Sequence, residues 1–209
     1  MTSFARRERL ALADLAEQLG PDAPTLCGDW TTRELLAHLI VRESSPLGAP
    51  GILLPPLSGL TERETARVAA WDYADLVERV RRPAPWSPST LAPYEGLVNR
   101  IEHFIHHEDI RRATPGWEPR ELPTKDQDAL WLPLRVVGKV LVRQAGVPVA
   151  LRRTDNGARA VLRRGKRGAE AAGLPSELVL FCYGREQAQV DLTGDEDAVA
   201  TLTGADRGL

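Results

Sequence analysis

Cysteine is scarce in this chain: Cys27 and Cys182 are the only two in 209 residues, far apart and in unrelated contexts. They form neither a Cys-x-x-Cys pair nor a disulfide framework, so a reducing, cytoplasmic setting is the expectation. Long apolar runs are also missing. No stretch is long enough to span a bilayer, and Met1 to Arg9 passes directly into an amphipathic pattern without the apolar core of a signal peptide. Lysine appears only at Lys125, Lys139 and Lys166, arginine supplying the other basic residues, and the net charge of -2 calls for no nucleic-acid or membrane partner. One basic patch, Arg152-Arg153 with Arg163-Arg164-Gly165-Lys166-Arg167, lacks interleaved aromatics and reads as solvated surface. With 43% hydrophobic and 27% charged residues the composition is that of a globular domain or two, long enough to bury a core.

Helical periodicity dominates the first two thirds. Leu10, Leu12, Leu15 and Leu19 mark a helix from Ser3 to Leu19, stopped by Gly20-Pro21. Thr31 or Thr32 caps a second, Arg33 to Glu43. Pro46 to Gly59 reads as an ordered loop, and Thr61-Glu62-Arg63-Glu64 as a capping box opening one helix to about Val80. Pro83, Pro85, Pro88 and Pro93 precede a fourth helix, Tyr94 to Ala113, and Lys125 to Gln144 is a fifth. After Gly146 the pattern alternates: Val147–Arg153 and Ala158–Arg164 flank Asn156-Gly157 as a hairpin, followed by a helix over Pro175–Gly184, a strand over Gln187–Leu192 and a short helix from Asp195. The expected fold is α+β: an antiparallel four-helix bundle over residues 1–145 and a small α+β module over 146–209.

Three of the four histidines lie in Asn99–Arg112. On a helix Glu102, His106 and Asp109 share a face bordering the apolar stripe of Leu97, Val98, Ile101, Phe104 and Ile105, while His103 and His107 fall opposite, towards solvent. His38, at the edge of the second helix's stripe, completes a His-Glu-His set with a position left open, the pattern of catalytic zinc. By spacing alone the alternative stands that both histidines are satisfied at core edges and Glu102 is solvated. Asp109 either orients a ligand or pairs with Arg111 or Arg112; Arg42 either holds an anionic group beside the metal or forms a surface pair on the Glu43 side. Cys27 and Cys182 have no neighbouring histidine to activate them and read as small buried residues, and Trp30, Trp71 and Trp131 as bundle core.

Trp30-Thr31-Thr32-Arg33-Glu34-Leu35-Leu36-Ala37-His38-Leu39 and Glu102-His103-Phe104-Ile105-His106-His107-Glu108-Asp109 resemble two helices of the mycothiol-dependent maleylpyruvate isomerase N-terminal domain, one of the DinB-like metal-binding bundles. The resemblance implies that His38, Glu102 and His106 bind a divalent metal, zinc, and that mycothiol is the cosubstrate, giving a metal-dependent thiol transferase or isomerase for a small electrophile. Ser176–Arg185 and Val190–Asp195 are similar to the family's sterol-carrier-like second domain, and make Arg185 the candidate substrate anchor, beside Arg42 and Asp109. Val41-Arg42-Glu43 and Pro50–Leu57 depart from the pattern and resemble a separate actinobacterial branch, so the maleylpyruvate substrate is not carried over. A structural or sensory metal protein and a metal-assisted hydrolase are the alternatives.

Overall fold

The computed structural model describes residues 3–45, 58–83, 92–205 and 207, the side chains of 58 and 92–98 excepted. Of the loop expected over Pro46–Gly59, residues 46–57 lie outside what is described, and Ser58 and Gly59 open a helix. Pro85 and Pro88 also lie outside it. Pro93, expected before the fourth helix, falls within that helix, as do the stripe positions Leu97 and Val98, whose side chains are not described. The chain is α+β, with eight helices and a four-stranded mixed sheet among the described residues. It divides into two compact units, residues 1–117 and 118–209.

The first unit is helical. α1 (Phe4–Leu19) is capped by the Ser3 hydroxyl, which accepts from the Arg6 amide. α2 (Thr32–Ser44) begins where the Glu34 carboxylate accepts from the Thr31 amide at 3.0 Å. The single helix expected from Thr61 to Val80 is two, α3 (Ser58–Ala69) and α4 (Tyr73–Arg81), and Thr61 lies inside the first of them. The Arg33 guanidinium donates to the carbonyls of Ala69 and Trp71, at 2.9 and 3.0 Å, closing α3. Asp72 then caps α4 by accepting from the Ala74 amide.

α5 (Ala92–Arg112) carries the histidine stretch. From Ile101 to Ile110 every residue except Glu102 is buried, so this part of the helix has no solvent face. The core beside it gathers Leu12 and Ala16 of α1, Leu35, Leu36 and Leu39 of α2, Leu76 of α4 and Ile110. Of the tryptophans assigned to a bundle core, Trp71 is on the surface, Trp30 is half-buried, and Trp131 is buried but in the second unit.

The second unit starts before α6 (Thr124–Leu141), so this helix belongs with the sheet, not with the residues preceding it as the expected boundary at 145 had it. Its apolar face packs on β2 and α7: Gly138 lies so close to Leu162 that an added Cβ would sit 3.1 Å from it. The sheet runs β2-β1-β3-β4, from β1 (Val149–Arg153), β2 (Arg159–Arg163), β3 (Ala169–Gly173) and β4 (Asp191–Gly194), with β1 parallel to β3 and the other pairs antiparallel. The hairpin is where the Asn-Gly step places it, Gly157 taking the left-handed conformation. β3 goes unannounced in the sequence because Ala-Glu-Ala-Ala-Gly has low strand propensity. α7 (Pro175–Cys182) and α8 (Glu196–Gly204) complete the unit, and β4 begins at Asp191, later than expected.

Candidate metal centre

His38 sits two turns into α2, on the border between buried Leu35 and Leu39 and half-exposed positions. The Trp30 ring lies against it, centroid to centroid at 5.1 Å, and the His106 ring meets it edge-on at 5.5 Å. One ligand atom from each of His38, Glu102 and His106 lies within 4.8 Å of the other two, and His106 Nε2 is 3.7 Å from Glu102 Oε2. In a tetrahedral zinc site, nitrogen and oxygen ligands stand about 3.4 Å apart. The 3.7 Å edge is close to that length and side-chain movement would have to close the rest, so this donor set fits a divalent metal.

Asp109 is fully buried and accepts from His106 Nδ1 at 3.0 Å. That contact turns Nε2 towards Glu102 and His38, the carboxylate–histidine arrangement that orients metal ligands. Its neighbours Arg111 and Arg112 bind Glu108. Arg42 is buried, not on the surface beside Glu43: its Nε is 3.2 Å from Glu102 Oε2, and Nη1 donates to Asn99 Oδ1 at 3.0 Å.

The protonation states follow. Burial pushes His38 down to about 3, the neighbouring His106 adding to the effect. Burial would raise the Glu102 carboxyl, but the His106 contact and the Arg42 charge outweigh it and hold it at about 2. Burial also disfavours a charge on His106, yet hydrogen bonds to Asp109, Cys27 and Glu102 hold its imidazolium well above the usual range. In the metal-free protein one proton thus occupies the Nε2 position a cation would take.

Cys27 does have a histidine neighbour. Its half-buried Sγ donates to Asp109 Oδ2 at 3.0 Å and lies 3.8 Å from His106 Nδ1. The sequence places these residues 79 apart and gives no local sign of the contact. His103 and His107 do not face solvent. His103 Nε2 is 2.8 Å from Glu43, which also takes both Arg9 nitrogens at 2.7 and 2.8 Å, and His107 Nδ1 is 2.9 Å from Glu8. A clue existed: Glu8 and Arg9 stand in the α1 stripe of Phe4, Ala5, Leu12, Ala13 and Ala16, where a charge has to meet a buried partner. Arg185 belongs to the second unit, where Nη1 donates to the Tyr183 carbonyl.

The fold and this cluster define an α+β chain whose helical unit carries a candidate metal centre. No family model matches the sequence, and no curated protein matches it. One solved structure is similar, the crystal structure of the mycothiol-dependent maleylpyruvate isomerase: the TM-score is 0.47 at 19% identity, over 92% of this chain and 96% of that one.

Proposed function

We propose that His38, Glu102 and His106 hold a divalent cation, zinc, and that the chain is a metal-dependent thiol transferase or isomerase acting on a small electrophile. The helical unit is read as a DinB-like bundle, and the quoted motifs imply mycothiol as the thiol. The observation that carries the reading is the convergence of the three ligand atoms with Asp109 behind His106.

When bound, the metal would lower the pKa of a coordinated thiol and favour its thiolate. The chain's own residues prepare for an anion there. With the cation in place of the His106 proton, two neutral imidazoles and one carboxylate would surround the centre, and the Arg42 charge beside Glu102 cancels that carboxylate. Three protein donors leave a position open. Asp109 fixes the His106 ring, and Arg42 keeps Glu102 ionised and hence able to donate.

The test is metal analysis of the purified protein beside His38→Ala and His106→Ala, followed by thiol consumption with zinc, mycothiol and a panel of electrophiles. Stoichiometric metal in wild type, lost in His106→Ala, with thiol consumption in wild type alone, supports the proposal. Thiol consumption no faster than background, with no thiol-dependent thermal shift, would sink it. Burial of His106 and Asp109 favours a second reading, a structural metal, which gains if His38→Ala unfolds the protein instead of leaving it folded and metal-free.

A further inference from the structure

The His106 ring has two edges, and the second also faces a ligand set. On the Nδ1 side Cys27 Sγ and Asp109 Oδ2 are 3.0 Å apart, Nδ1 to Oδ2 is 3.0 Å, and Sγ to Nδ1 is 3.8 Å. The edges of a tetrahedral zinc site are about 3.4 Å between nitrogen and oxygen and about 3.6 Å when sulfur is one end. The triangle departs from those lengths by about 0.2 to 0.6 Å, the sulfur–oxygen edge being the shortest against its target. We propose that Cys27, His106 and Asp109 form a separate site for a thiophilic divalent cation, on the opposite side of the same imidazole.

Two further arguments support it. The loop that carries Cys27 is built in place: the Leu26 amide donates to the Asp109 backbone carbonyl at 3.1 Å, and the Thr25 hydroxyl accepts from the Cys27 amide at 3.1 Å and donates to the Trp30 carbonyl at 2.7 Å. Charge balance favours it as well. A thiolate and a carboxylate neutralise a divalent cation, whereas the His38 set offers one carboxylate already countered by Arg42. Sulfur ligation selects softer metals. Binding forms metal–sulfur, metal–nitrogen and metal–oxygen bonds, and the Sγ and Nδ1 protons leave to solvent. His106 then keeps its proton on Nε2, facing Glu102, so as a neutral imidazole it serves one set at a time.

The site shares His106 with the proposed metal centre but needs none of its thiol chemistry. Cobalt(II) titrated into the full chain tests it. Wild type is expected to take one equivalent and show a thiolate-to-cobalt charge-transfer band, absent in Cys27→Ser and retained in His38→Ala. Serine keeps a hydrogen bond to Asp109, and circular dichroism checks that the variant folds. Cys182 is fully buried in the other unit and supplies no competing thiolate. Cobalt bound without that band, or a band that survives Cys27→Ser, overturns the inference. Cobalt lost in His38→Ala but kept in Cys27→Ser overturns it too and leaves the first centre standing. No cobalt binding in wild type ends both.

Discussion

At the scale of the residue, the polar groups around α5 are each held in one charge state by burial and partners, and that makes stability depend on pH in a definite direction. His38, at about 3, and His103, lowered by burial against the pull of Glu43, are neutral in the folded protein and titrate normally in the unfolded chain. The unfolded state therefore binds more protons below the ordinary histidine value of 6.5, and stability falls as the pH drops from there. Each such proton contributes a slope of about 1.4 kcal/mol per pH unit. Glu43 and Glu102, both held at about 2, lose their contribution in turn as the pH falls from 4.5 towards 2. His106 has the opposite sign: raised in the fold, its contribution is complete below 6.5 and is lost as the pH rises through its folded value. Metal-free protein should be most stable near pH 6.5. Urea unfolding in the presence of a chelator, repeated from pH 8 to pH 4.5, checks this. A free energy that stays level between 6.5 and 4.5 would contradict the neutral assignments of His38 and His103.

At the scale of the element, the break between α3 and α4 is made by two side chains, and it shows what a pattern of apolar residues conveys and what it leaves out. The expectation of one helix from the capping box at Thr61 to about Val80 was right about nearly every residue. It could not show that Arg33, far back in the sequence, closes α3 through the carbonyls of Ala69 and Trp71. The cap itself was legible, since an aspartate directly before a helical run is an N-cap signal. Asp72→Ala should cost about 1 kcal/mol, the usual worth of such a cap, and loosen α4 without unfolding α1 or α2. Equilibrium unfolding with amide exchange over Tyr73–Arg81 measures it. A variant as stable as wild type would mean that the Tyr73 hydroxyl, bonded to the Ala16 carbonyl at 2.7 Å, holds the start of the helix alone. The same distinction governs α5. Spacing placed Glu102, His106 and Asp109 together correctly, because i, i+4 and i+7 are intrahelical geometry. It misplaced His103 and His107 because it assumed a wet face, and whether a face is wet depends on partners such as Glu8 and Glu43 from other helices.

At the scale of the molecule, the proposed metal binding and folding would be one equilibrium, because the candidate ligands converge only when α2 and α5 are packed. His38 and Glu102 are 64 residues apart in sequence, so an unfolded chain offers a cation no comparable set. A cation present at a hundred times its dissociation constant should then add about 2.7 kcal/mol to the stability of the state that binds it. In hydrogen exchange this appears as about a hundredfold slowing of those α2 and α5 amides that open only when the site breaks. The added stability should shrink in acid. Entry of a cation at Nε2 would displace the proton that Asp109 and Glu102 help to hold on His106, so below the raised His106 value each pH unit should weaken binding about tenfold. Exchange measured with and without zinc at pH 7.5 and pH 6 separates the two effects. His106→Ala, which removes the ligand common to both sets, should exchange at the same rate with and without zinc at either pH. Slowing that is equal in wild type and in that variant would place the cation elsewhere on the chain; slowing that does not weaken at pH 6 would mean that no proton leaves His106 when it binds.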